Sequence, residues 1–163
     1  MKKSLLIIAL FISVQSFAQQ KLAFPFQGGN RVMMQFFKDS LVVSPEIKQV
    51  KATGLVIFKF SADEQGNIKN VVIYYADDVM LARPVIEALK KSSHKWIIPN
   101  NEKSHDFILS FSIGFTPSAT DVASAKEGLY NFYQKHKPIL SANQVPLDNV
   151  TLLPTVVVNY KID

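Results

Sequence analysis

The most regular alternation in the chain lies at residues 107–115, where Phe107, Leu109, Phe111, Ile113 and Phe115 are separated by Ile108, Ser110, Ser112 and Gly114. A period of two with one greasy and one nearly polar face predicts a strand of an antiparallel sheet covered on one side. Two strands precede it. Val56, Phe58 and Phe60 alternate with Leu55, Ile57 and Lys59, and a return strand spans residues 68–75. Between them, Asp63-Glu64-Gln65-Gly66-Asn67 makes a hairpin turn in which Gly66 supplies positive φ.

A helical period governs three other segments. Val32, Met33, Phe36, Phe37 and Leu41 share a face, with Asn30 as the expected N-cap and an end near Ser40, because Pro45 interrupts the next stretch of chain. Leu81, Val85, Ile86 and Leu89 mark a second helix. Proline is tolerated in a first turn, so Pro84 places its start near Ala82, and it runs to about Ser92. Val122, Ala125, Leu129, Phe132 and Tyr133 suggest a third helix ending before Pro138. A last strand-like segment covers residues 155–160, preceded by Pro154. The expected fold class is α+β: a three-stranded antiparallel sheet with two helices on one face, extended by a C-terminal helix and a fourth edge strand.

The amino-terminal pattern is different. Lys2 and Lys3 precede an apolar run at residues 5–14, and Ser16-Phe17-Ala18 sets small residues before a cut after Ala18. This is the layout of a cleavable signal peptide. A run of this length covers about half of a bilayer core as a helix, so stable membrane insertion is not expected. The expected organisation is a signal peptide at 1–18, a domain at 19–116 and an extension at 117–163 packing on it, in the periplasm or secreted. Removing Lys2 and Lys3 lowers the net charge from +5 to +3, and Lys90-Lys91 is the only adjacent basic pair beyond them, so nucleic acid is not an expected partner. The absence of cysteine excludes thiolate zinc sites, redox motifs and thiol nucleophiles.

Across about 90 residues an ordered set of landmarks stands out: Phe24-Pro25 with Gly28-Gly29, Pro45, Gly54, Asp63-x-x-Gly66, Trp96 with Pro99, and the strand at residues 107–115. This set resembles the C-terminal domain of TonB energy transducers in its Bacteroidetes-type form. The chain departs from that pattern where Phe26-Gln27 separate the proline from the glycines. It departs again where two residues separate Trp96 from Pro99, and where Asn100 replaces the expected glycine. The resemblance implies a module that binds an extended segment of an outer-membrane receptor by strand addition. A transducer also needs a membrane anchor and a proline-rich arm; lacking both, this chain is expected to bind without transmitting force.

Strand addition needs backbone rather than special side chains, because an open edge is a row of unpaired amides and carbonyls. The expected edge is Phe107, Ile108, Leu109, Ser110, Phe111, Ser112 and Ile113. Thr155, Val156, Val157 and Val158 resemble the valine-rich box of the receptors, so the tail is a candidate occupant of that edge; the plain alternative is a β-branched run that forms a strand. Expected partners are a protein or peptide, including an outer-membrane receptor, and a second copy paired through the edge strand. No catalytic residue, metal or cofactor is expected. The rivals are a secreted metal binder or small enzyme using His94 and His105, for which no ligand spacing argues, and a structural domain that dimerises through its edge strand. His94 and His105 read more simply as solvated loop histidines away from the edge strand. His136 reads as a helix C-terminal charge, Asp77-Asp78 as helix caps and Trp96 as core.

Overall fold

The computed structural model describes residues 24–99, 102–118, 121–142 and 149–162. The expected cleavage site after Ala18 lies outside them. In chain order the elements are α1 (Gly29–Ser40), α2 (Pro45–Val50), β1 (Gly54–Asp63), β2 (Ile68–Ala76), α3 (Val79–Lys91), β3 (Ser104–Thr116), α4 (Val122–Lys135), β4 (Ile139–Leu140), β5 (Val150–Leu152) and β6 (Val156–Lys161). The protein is α+β, as expected, but its sheet has six strands instead of three with a fourth at the edge. The order is β4-β2-β1-β3-β5, and β6 also pairs with β3. The short β4 and β5 carry too few residues to show a period.

The hairpin forms as read. Asp63 closes its turn, with Oδ1 accepting from the Gln65 and Asn67 amides at 3.1 and 2.8 Å. Gly66 has φ 74°, and a Cβ there would stand 2.6 Å from the Trp96 carbonyl oxygen. The turn is thus wedged against the segment beyond α3, where the His94 amide donates to the Gly66 carbonyl at 2.7 Å.

Three local expectations change. α1 is capped by Gly28, at φ 85° with no side-chain cap, and Asn30 lies within the helix. Pro45 does not merely break the chain: it is the first residue of α2, where its missing amide costs nothing, and Ser44 Oγ accepts from the Ile47 amide. α3 starts at Val79, because Asp78 caps it through Met80 N at 3.0 Å, so Pro84 falls in the helix interior. There it leaves the Met80 carbonyl without its usual amide partner.

The core lies between the sheet and α1 and α3. Val56, Phe58, Phe60 and Ala62 of β1 and Phe107, Leu109, Phe111 and Ile113 of β3 point into it, against Met33 and Phe37 of α1 and Leu81, Val85 and Leu89 of α3. Trp96 sits at its centre as expected, 4.7 Å from Phe60 and 5.2 Å from both Phe26 and Phe107 by ring centroids. Its Nε1–H donates to Ser92 Oγ at 3.0 Å, which satisfies the indole inside an apolar cluster. The ring also pins the start of the domain, since Phe26 bridges Trp96 and the Ile97 amide donates to the Pro25 carbonyl.

The two faces of β3 should therefore respond differently to truncation. Phe111→Ala should lower unfolding free energy by about 3–5 kcal/mol, the range for a buried aromatic. Ser110→Ala, on the opposite face, should stay within roughly 0.5 kcal/mol in denaturant titration.

Candidate functional site: the outer edge of the third strand

β3 is paired on both sides. β1 runs antiparallel along its inner edge, from Gly54 opposite Ile113 to Asp63 opposite Ser104. Along the outer edge lie two parallel segments of the tail. β5 sets Val150, Thr151 and Leu152 beside Asp106, Phe107 and Ile108, and the Leu153 amide donates to the Ile108 carbonyl at 2.9 Å. β6 sets Val156, Val157 and Val158 beside Phe111, Ser112 and Ile113, and continues to Lys161 beside Thr116. The edge expected for strand addition, residues 107–113, is thus occupied by the chain's own tail. Three of the four valine-box residues take part; Thr155 precedes the strand and is exposed.

The two tail strands are anchored unequally. In β6, Val156, Val158 and Tyr160 are buried in the main core. The Tyr160 hydroxyl donates at 2.8 Å to the Ala52 carbonyl and lies 3.3 Å from that of Ile47, tying the tail to the end of α2. Burial pushes this phenol up to about 12. β5 is different: three residues long, with Val150 and Thr151 half-buried and Leu152 71% exposed.

Leu153, buried in the core, fixes the end of β5, and a polar series holds its middle. His105, expected to be a solvated loop residue, is buried within β3, with Nε2 2.8 Å from Thr151 Oγ1 and Nδ1 2.6 Å from Glu102 Oε2. Asn149 Nδ2 donates to the other oxygen of Glu102 at 3.4 Å. An ionised Glu102 fixes a donor at Nδ1, which leaves a neutral ring's Nε2 to accept from the Thr151 hydroxyl. A hydroxyl–imidazole–carboxylate series can move a proton away from the hydroxyl, as acyl-transfer sites do. Here the imidazole side chain is only 4% exposed, and the series spans the junction of β3 and β5.

Among the described residues no hydrogen bond joins His94 to His105. His94 is exposed at φ 67° beside the hairpin turn, and among the described residues no three His, Asp or Glu side chains converge on a cation position. His136 stands at the end of α4 as its C-cap, with Nδ1 2.6 Å from the Tyr133 carbonyl. Asp78 is a cap as read, and its Oδ2 also accepts from the Lys137 amide at 3.1 Å. Asp77 is not a cap. Its Oδ2 accepts from the Leu55 amide at 2.6 Å and Oδ1 from the Tyr75 hydroxyl, a bond that holds the Tyr75 phenol above its ordinary range.

Compared with family models, curated proteins and solved structures, the chain matches none. Among the described residues, no helix is long and apolar enough to cross a membrane. Glu102, Thr151 and Tyr160 are contributors that no sequence motif singled out. A signal existed only for Tyr160, which extends the alternation of Val156 and Val158 by one step.

Tyr160 gives the tail an alkaline signature. A phenol raised to about 12 in the fold and near 10 when unfolded contributes stability that is complete below pH ~10 and lost as pH rises through ~12. The loss should approach about 3 kcal/mol. Urea unfolding from pH 8 to 12 should show it as the difference between wild type and Tyr160→Phe. At neutral pH the same variant should cost about 1 kcal/mol for the lost hydrogen bond.

Proposed function

We propose that this is an exported, non-enzymatic protein-binding module of the TonB C-terminal type, which recognises an extended peptide or an outer-membrane partner by strand addition. In support of the reading, β2, β1 and β3 are consecutive neighbours within the six-stranded sheet, and α1 and α3 pack on one face of it. Several of the landmarks that carry the resemblance also meet in space: the Pro25 carbonyl accepts from the Ile97 amide next to Trp96, and Gly66 abuts the Trp96 backbone.

The observation that carries the reading is the occupancy of β3. Its outer edge pairs with parallel strands from a segment distant in sequence, which supports an edge suited to strand addition. β6 is fused to the core, whereas β5 is short, exposed on one side and held by its backbone pairing, the His105 imidazole and the buried Leu153 that follows it. We place the partner strand where β5 lies, beside Asp106, Phe107 and Ile108, with β6 as a fixed neighbour. A competent edge that is mostly covered has its apparent affinity reduced in proportion to the small open fraction, so loosening β5 tightens partner binding.

Thr151→Val keeps the shape of β5 and removes the hydroxyl that meets His105. If that bond contributes about 1 kcal/mol, the variant should bind a valine-rich peptide roughly 5-fold more tightly than wild type in calorimetric titration. Amide shifts should be concentrated at residues 104–108. Absence of peptide binding by both proteins at millimolar peptide would refute the reading. Labelling of Thr151 by a fluorophosphonate would instead favour the small-enzyme rival, to which the Thr151–His105–Glu102 series lends its geometry.

A further inference from the structure

β5 displays which side chains the outer edge of β3 takes. The segment runs parallel to β3, so Asn149, Thr151 and Leu153 fall on the side of His105 and Phe107, and Val150 and Leu152 fall on the other. Each of the first three meets a feature of the surrounding protein. Asn149 Nδ2 donates to Glu102 Oε1, and Thr151 Oγ1 stands 2.8 Å from Nε2 of the buried His105. Leu153 is buried in the main core, and its amide donates to the Ile108 carbonyl. Leu152, between them, is 71% exposed. The features that receive β5 do not depend on it. Glu102 holds the other ring nitrogen of His105, so Nε2 keeps its direction when Thr151 leaves. A buried acceptor left without a donor is costly, and so is the void left by a withdrawn leucine.

We propose that this edge selects its partner by a spaced pattern of side chains. The proposal rests on the placement of the partner strand at β5 and names what that strand must carry. The partner is an extended protein segment parallel to β3, with an uncharged or cationic hydrogen-bond donor, a hydroxyl residue two positions later and a leucine two further on. The donor meets Glu102, the hydroxyl meets His105 Nε2, and the leucine fills the place of Leu153. A carboxylate at the first position would stand beside that of Glu102 and is disfavoured. The position between hydroxyl and leucine is free, as Leu152 is. The segment leaves the sheet after its leucine, because β6 holds the edge from Val156 onward. A valine-rich strand supplies the backbone bonds alone and is the weaker ligand.

Calorimetric titration of the Thr151→Val chain, whose own β5 no longer meets His105, tests this with capped peptides. The reference is Ser-Asn-Val-Thr-Leu-Leu-Gly. Replacing its threonine by valine should weaken binding about 5-fold, for one lost hydrogen bond. Replacing the second leucine by serine should weaken it on the order of 30-fold, and replacing the first should change it by less than about 2-fold. Exchanging the valine and threonine keeps the composition, turns the hydroxyl to the other face and should cost at least as much as removing it. Aspartate in place of asparagine should weaken binding at low salt and recover at about 1 M salt. The imidazole nitrogen signals of His105 should move with the reference peptide and not with its valine counterpart. Equal binding of all these peptides and of a valine-rich one would overturn the pattern and leave strand addition standing. A preference that follows the first leucine would overturn it as well. No binding of any peptide at millimolar concentration would refute the strand-addition reading and this proposal together.

Discussion

The structure depends on the backbone pairing of β3 on both edges. β1 satisfies one edge and the tail the other, so the longest strand of the sheet, 13 residues, has neighbours along nearly its whole length. An unpaired edge of that length, built from alternating phenylalanines, would be a template for association with other chains. The tail removes it. It also closes the core, because Val156 and Val158 lie against Phe111 and Ile113 and exclude water from the end of the aromatic cluster.

The extension is bound to the rest by a few polar ties at particular places. Tyr160 reaches the carbonyls at the end of α2, and Asp78 joins the start of α3 to the amide of Lys137 beyond α4. Lys51 Nζ donates to Ser124 Oγ at 3.2 Å, and the Thr53 and Tyr133 hydroxyls meet at 3.3 Å. These ties join residues that are far apart in sequence, and they make the extension an integral part of the domain. The Thr151–His105–Glu102 series has another character. It secures a three-residue strand that buries little apolar surface, and so holds with direction more than with area.

Much of this was legible because it is periodic. The alternation at residues 107–115 foretold which side of β3 is buried, and the Asp63–Gly66 turn foretold the hairpin. Trp96 read as core because a lone indole between helix and strand has few other places to go. The misreadings have specific causes. Ser44-Pro45-Glu46 is a helix start in miniature, yet Pro45 reads more loudly as a breaker. Pro84 argued for a late start of α3, and the bond from Met80 N to Asp78 overrode it. His105 looked solvated because its partner Thr151 lies 46 residues away, and no local pattern announces such a contact. The parallel direction of the tail was not written in any period either, since no local pattern records which way a distant segment returns to the sheet.

The central claim is that the two tail strands on β3 are held by different means and to different depths. Native-state hydrogen exchange resolved by residue measures this directly. Amides of Val156–Lys161 engaged with β3 should exchange only through global unfolding, with the same free energy as the central amides of β1 and β3. Those of Val150–Leu152 should open at a markedly lower free energy. Joint opening of β5 and β6 below the global free energy would contradict the account, as would protection of β5 equal to that of the core.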